Sequence, residues 1–353
     1  MGPHPAVAEI RHAVRASLAA LSPGDVVLAA CSGGPDSLAL AAAVAFEAPR
    51  AGLLAGGITI DHGLQPGSAE QAAQVVAVLN RLGLTPVLSV AVKVAGPADA
   101  GGYPGPEAAA RSARYAALDE AAEQARAWIL LGHTLDDQAE TVLLGLSRGS
   151  GARSLAGMAP VSGRYLRPLL SIRRTQTVAA CAAEGLQPWA DPHNADPAYA
   201  RTRVRRLMPA LEEALGPGVA LALARTAGLL RDDADVLDGL AAAEAAQLGG
   251  TAAAQADGWS AAALAELPGA IRHRLLRSAA VAAGCPAGAL SQRHVASLDG
   301  LVTDWHGQRW ADLPGGIRCL RRYGRLLFTK PGAPGAAPQA HTAARSEDLG
   351  GRE

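Results

Sequence analysis

The sequence predicts a parallel α/β domain followed by a smaller, mainly helical α+β domain. Three observations carry this. Short, near-continuous apolar runs alternate with Ala-rich helical stretches through the first 150 residues, and strands without polar alternation belong to a sheet covered on both faces. Beyond residue 210 the pattern turns helical and closes with short strand-like runs. The length, 353 residues, suits two domains of roughly 100–200 residues each.

The elements follow in order. Asp25–Ala30 reads as a buried strand and Ser37–Phe46 as the helix after it. Leu53–Ile60 and Ser68–Leu82 repeat that pair, and Pro86–Val94 is a third strand. Pro106–Ala127 is a long helix, Trp128–Leu131 a fourth strand, and Leu135–Leu146 another helix. Residues 95–106 form a Gly/Pro-rich break, and residues 147–210 read as arginine-rich and irregular. From Leu211 the chain becomes helical, with Pro217-Gly218 as a linker and short strands around Gly316–Cys319 and Leu326–Thr329. The resulting division is 1–210, 211–330 and a Pro/Ala/Gly-rich disordered tail at 331–353.

Composition narrows the class. The 32 basic residues balance 32 acidic ones, which argues against a uniformly basic nucleic-acid binder while leaving room for a local patch. The four cysteines form no C-x-x-C pair, so neither a disulfide framework nor a Cys-rich metal site is expected. No leader or membrane-length apolar run stands out, and the expected setting is cytoplasmic, with no membrane partner.

In open parallel sheets ligands sit beyond the carboxyl ends of the strands, and the polar motifs fall there. Cys31-Ser32-Gly33-Gly34-Pro35-Asp36-Ser37 lies between the first strand and its helix. The glycines let the backbone approach a phosphate, and the helix N-terminus adds aligned N–H groups. Asp36 beside a phosphate makes sense when a divalent cation bridges them. The loop lacks the lysine of a G-x-x-x-x-G-K-[ST] motif. Asp61 and His62 end the second strand, as a turn or as part of the site. Glu107, Arg111 and Arg114 share a helix face, as a surface ladder or as two guanidinium groups aimed at an anion. Beyond the fourth strand come His133, Asp136, Asp137 and Glu140, with Asp136 read as the helix cap. Capping needs one carboxylate, so the excess suggests a magnesium or amine site. Residues 147–210 carry ten arginines against three acids, an electrostatic footprint for a polyanion.

The loop S-G-G-x-D-S resembles that of the PP-loop ATP pyrophosphatases, which have an adenine nucleotide alpha hydrolase-like fold. Further motifs are D-H-G-L-Q, A-A-R-x-A-R-Y, G-H-T-L-D-D-Q-A-E-T, R-P-L-L and a D-x-x-N-x-D segment leading into the arginine cluster. With them, residues 24–210 resemble the tRNA(Ile)-lysidine synthetase family. Ser154, Asp191-Pro-His-Asn194 and Thr202 depart from the family pattern in the region of RNA contact. A thiolase of the same superfamily would call for paired or catalytic cysteines, and Cys31 and Cys181 are isolated in sequence.

The resemblance implies an ATP-dependent ligase that adenylates the wobble cytidine of a CAU anticodon in tRNA(Ile). L-lysine then displaces AMP at C2, and pyrophosphate is the other product. It implies ATP contacts at Ser32, Gly33, Gly34, Pro35, Asp36, Ser37, Asp61 and His62, with Mg²⁺ on Asp36. It implies lysine binding by Asp136, Asp137 and Glu140, and catalytic roles for Asp36, His133, Asp137, Arg111 and Arg114. Arg148, Arg153, Arg201, Arg203, Arg205 and Arg206 would hold the tRNA, and a homodimer is an assembly open to the family. Residues 211–330 would serve tRNA recognition. There Trp259, Trp305 and Trp310 read first as core, and His273 with Arg272, Arg274 and Arg277 as one side of an amphipathic helix, with direct RNA contact the alternative for each.

Overall fold

The computed structural model describes residues 2–330 apart from 62, 64–66, 93–105, 150 and 190–195. His62, the break up to residue 105, Asp191–Asn194 and the tail at 331–353 therefore lie outside the described residues, as does the Glu107 side chain. By contacts the chain divides into two compact units, 1–231 and 232–353.

The first unit opens with α1 (Pro5–Leu18), which the sequence reading did not anticipate. Val7, Ile10, Val14 and Leu18 fall on one buried face of it, each contributing about 1.5–3 kcal/mol of burial as an upper bound. Then come β1 (Val26–Ala30), α2 (Pro35–Glu47), β2 (Leu54–Asp61), α3 (Ser68–Arg81), β3 (Val87–Ala91), α4 (Pro106–Ala125), β4 (Ala127–Leu131) and α5 (Leu135–Ser147). These match the expected order, with ends shifted by a few residues.

The stretch expected to be irregular is instead structured. It holds α6 (Ala152–Leu155), β5 (Val161–Ser162), β6 (Tyr165–Leu166), α7 (Arg174–Ala183) and α8 (Ala200–Leu215), followed by α9 (Val219–Gln247). The two strands are only two residues each, too short to show a period. In α8 the arginines and an internal Pro209 obscure the helical pattern, so helix begins at Ala200 rather than at Leu211.

The sheet order is β3-β2-β1-β4-β6-β5. β1, β2, β3, β4 and β6 run parallel, and only β5 pairs antiparallel, with β6. Successive residues of β1 face opposite layers: Val27 and Ala29 join the core built with α1, α2, α3 and α7, while Leu28 joins Leu118, Ala121 and Ala122 of α4. Both faces are covered, which is why these strands read as continuous apolar runs. The strand order reverses between β1 and β4, so the crevice beyond their carboxyl ends is the topological switch point.

The second unit contains α10 (Gly250–Ala256), β7 (Trp259–Ser260), α11 (Ala261–Ala265), α12 (Gly269–Ala282), α13 (Gln292–Thr303), β8 (Trp310–Leu313), β9 (Ile317–Arg322) and β10 (Arg325–Thr329). Its sheet runs β7-β10-β9-β8, with every pair antiparallel. The core packs Trp259, Leu275, Leu276, Cys319, Leu326 and Phe328 between helices and sheet. Trp259 is core as expected, but Trp305 and Trp310 are 50% and 45% exposed. Arg272 pairs with Asp299 at 2.6 Å and Arg274 with Asp238 at 2.7 Å, while Arg277 donates to the Leu290 carbonyl. Among the described residues no single helix is long and apolar enough to cross a membrane.

Candidate functional site at the sheet switch point

The phosphate-loop segment leaves the end of β1, where the Cys31 N–H bonds the Ile58 carbonyl at 2.8 Å. Gly33 has φ +86°, and a Cβ there would lie 2.8 Å from the Gln71 side chain and 3.0 Å from Val75. Glycine is thus required both for the turn and for the space. Buried Ser37 ties the loop together: its hydroxyl accepts from the Ser32 N–H at 3.2 Å and donates to the Gly34 carbonyl at 3.0 Å. The Trp189 N–H donates to the Gly33 carbonyl at 2.9 Å. Ser32 stays exposed. Gly34 is the N-cap of α2 and gives no side-chain cap, so the N–H groups after Pro35 at the helix start suit an anion.

Across the crevice, Gly132 at the end of β4 packs against the start of α2. A Cβ there would lie 3.0 Å from the Asp36 carbonyl carbon and oxygen, so this second glycine sets how closely the two loops meet. Thr134, not Asp136, caps α5: its side chain accepts from the Asp137 N–H, and the Asp137 carboxylate accepts from the Thr134 N–H at 2.8 Å and hydroxyl at 2.9 Å. The capping box therefore aims Asp137 rather than Asp136. Asp136 instead accepts from the Arg174 N–H at 2.7 Å.

Arg174, at the first position of α7, touches all four carboxylates. Besides that backbone bond, its guanidinium lies 3.2 Å from Asp36, 2.8 Å from Asp137 and 3.5 Å from Glu140. Thr177 also donates to Asp36, and the Cys181 thiol reaches the Pro35 carbonyl at 3.4 Å. Residues 174, 177 and 181 form an α-helical stripe laid along the start of α2. Arg205 completes the group, bonding Glu140 at 2.8 Å.

These neighbours set the charges. Burial raises the Asp36 carboxyl above its ordinary value, and Thr177 and Arg174 offset this only in part. Burial also opposes the charge on Asp137, yet Arg174 and the bonds from Thr134 bring it below the ordinary carboxylate range. His133 is pushed down to about 3, by burial first and then by Arg167, Arg111 and Arg114 against the pull of Asp137. It is therefore neutral near pH 7. Its buried Nδ1 has no protein partner among the described residues.

The other expected residues divide. Arg111 and Arg114 lie over the Tyr115 ring, at 4.9 and 5.8 Å, on the side of the site where they influence His133. Asp61 ends β2 and accepts from the Gly63 N–H at 3.0 Å. Arg148, Arg153 and Arg206 are exposed and Arg201 half-buried. Arg203 donates to the carbonyls of Pro197 and Ala198, both at 2.8 Å, which organises the turn before α8. Arg205 departs from its expected place on an RNA backbone, because its guanidinium is turned into the carboxylate cluster. Arg174 and Thr177 were missed. The usable signal was an acid-rich segment with no lysine near it, which needs cations from elsewhere in the chain.

A cavity of about 250 Å³ opens beside the cluster. Asp136, Glu140 and Glu212 line it together with Arg174, Arg205 and Met208. Its walls carry both signs of charge, a complement to a small zwitterion. No three His, Cys, Asp or Glu side chains gather to cage a metal among the described residues. Asp36 beside the phosphate loop offers a single carboxylate, and Mg²⁺ commonly takes one or two carboxylates plus phosphate oxygens.

Fold and site together define a nucleotide-binding α/β protein with its phosphate loop at the switch point. Residues 7–211 match the family profile of the PP-loop domain, and residues 260–327 match that of the TilS substrate binding domain. A tRNA(Ile)-lysidine synthase from Thermobifida fusca is 59% identical over 331 residues, covering 93% of this chain and 99% of the relative. One from Streptomyces coelicolor is 53% identical over 360 residues, again covering 93% and 99%. The chain belongs to the tRNA(Ile)-lysidine synthase family. Among solved structures, the U34-tRNA thiolase NcsA from Methanococcus maripaludis, with its 4Fe-4S cluster, aligns with a TM-score of 0.54 at 20% identity. That match covers 64% of this chain and 80% of the thiolase, and it is a likeness of fold.

Proposed function

We propose that this protein is an ATP-dependent ligase that joins L-lysine to C2 of the wobble cytidine in the CAU anticodon of tRNA(Ile), forming lysidine. The observation that carries the reading is the junction made by Arg174, which places Asp36 of the phosphate loop against Asp137 and Glu140. Family membership supplies the reaction, and the ion pairs of Arg174 with Asp36, Asp137 and Glu140 support reading the phosphate loop and the carboxylates as one site.

In the first step the cytidine O2 attacks the α-phosphorus of ATP and pyrophosphate leaves. The loop from Ser32 to Ser37 holds the departing phosphates through backbone N–H groups. Asp36 would hold a magnesium ion, which would supply charge neutralisation of the phosphates. Arg111 and Arg114 face the adenylate and stabilise its developing negative charge. In the second step the lysine ε-amine attacks C2 and AMP leaves. Asp137 and Glu140 position the amine, with Asp136 holding the other end of the amino acid in the cavity, and a carboxylate takes the proton lost from nitrogen. His133, neutral at working pH, serves as a hydrogen-bonding imidazole at the nucleotide rather than as a charged acid. Arg174 keeps the carboxylates together before the substrates supply cations of their own. Arg148, Arg153, Arg201 and Arg206 engage the tRNA backbone. A target base must leave its stack to reach such a crevice.

The test is AMP and pyrophosphate release with ATP, Mg²⁺, a CAU-bearing tRNA(Ile) transcript and labelled lysine, each omitted in turn. Label in the tRNA that depends on every component is the expected result. AMP without label transfer would reject lysine as the nucleophile, and no ATP turnover would reject the ligase reading. Sedimentation of the same sample reads whether the expected homodimer forms.

A further inference from the structure

The sheet of the second unit buries one face and leaves the other half-buried to exposed. Ile317, Cys319, Leu326 and Phe328 point into the core. The alternate residues fall on the outer face, where register pairs Trp310 with Leu320, Leu320 with Leu327, and Arg322 with Arg325. Trp310, Arg322 and Arg325 are exposed there. Residues 305–330 carry five arginines and Lys330 against Asp312 alone, a strong local excess in a chain of zero net charge.

The hairpin between β9 and β10 adds a second, independent feature. Its two central residues, Tyr323 and Gly324, both have positive φ, +48° and +72°. Two-residue loops of this kind favour Asn-Gly or Asp-Gly, because a bulky side chain is strained there. Tyr323 nevertheless occupies the strained position, and it is 91% exposed. Its ring therefore gains nothing from the core. Arg322 lies beside it, Cζ 5.9 Å from the ring centre, and has no carboxylate partner among the described residues. On the same face Arg318 stacks over Trp310 at 4.8 Å.

We propose that this outer face is a docking surface for a single-stranded stretch of the RNA substrate, with an unpaired base stacked on Tyr323 and phosphates held by Arg322. Exposed rings on an antiparallel sheet suit bases that have left a helix, and flanking arginines suit the backbone between them. The inference rests on the tRNA reading above and names the face of the substrate-binding unit that makes contact.

The experiment uses the full chain, a CAU-bearing tRNA(Ile) transcript, and the variants Tyr323→Asn and Arg322→Ala. Asparagine relaxes the turn, so Tyr323→Asn is expected to keep or raise the melting temperature. Its tRNA affinity is expected to fall at least about fivefold. Arg322→Ala is expected to lower the salt slope of binding by about one. Wild-type affinity and slope in both variants, with the wild type still forming lysidine, would overturn the docking surface and leave the activity standing. A change in oligomeric state with unchanged tRNA affinity would overturn it in favour of a contact between copies. If the wild type binds no tRNA, the functional reading and this inference fall together.

Discussion

At the residue scale, Gly33 and His133 show how backbone and burial constrain the site. Gly33→Ala forces a side chain into a left-handed backbone and against Gln71, a cost of about 1–2 kcal/mol from the backbone alone. Denaturant melts are expected to show that loss, and steady-state kinetics a raised KM for ATP. His133 offers a pH test. Its folded pKa of about 3 lies below the roughly 6.5 of an unfolded histidine, so between those values the unfolded chain binds the extra proton. Its contribution is full above about pH 6.5 and is lost as the pH falls toward 3, with a slope approaching about 1.4 kcal/mol per pH unit. The charged groups that face it are Asp137, Arg167, Arg111 and Arg114. His133→Gln is expected to flatten the stability profile between pH 5 and 6.5, and an unchanged slope would reject the buried neutral imidazole.

At the element scale, helix starts do most of the positioning. Thr134 caps α5 and holds the Asp137 carboxylate from two donors. Thr134→Ala removes the cap and one of those donors, and is expected to cost about 0.5–2 kcal/mol in thermal unfolding. Because Asp137 also loses its orientation, the KM for lysine is expected to rise in the same variant. The strand–helix alternation through α5 was legible because buried parallel strands and Ala-rich helices each leave a long, one-sided pattern. α7 was not, because its informative residues are polar. Arg174, Thr177 and Cys181 face another helix start rather than water, so a stripe that looks like solvated surface is an interior contact. The cap was misplaced for a related reason: Asp136 and Thr134 are both good caps, and only backbone geometry chooses between them.

At the scale of the whole molecule, zero net charge hides two basic regions, one at 147–210 and one at 305–330. Binding a polyanion through such patches releases counterions from the nucleic acid. Raising salt from 50 to 200 mM is expected to weaken tRNA binding at least about tenfold. ATP binding at the phosphate loop is expected to change far less. Filter binding and ATP titrations across the same salt series check both. Equal salt sensitivity would mean that the arginines serve the nucleotide rather than the RNA.

The fold class, the phosphate loop and the nearness of Asp36, Asp137 and Glu140 to one another could be read from residue order, because each depends on local pattern or on the shared carboxyl edge of a sheet. The counter-ions could not. Arg174 and Arg205 lie far along the chain from Asp36, and both belong to a region whose arginines all look alike in sequence. Which of them turns inward to neutralise carboxylates and which stays outside follows from the packing of α7 and α8 against α2 and α5. Charge is a property of the residue, but its partner is set by distance, and distance between remote segments exists only once the chain is folded.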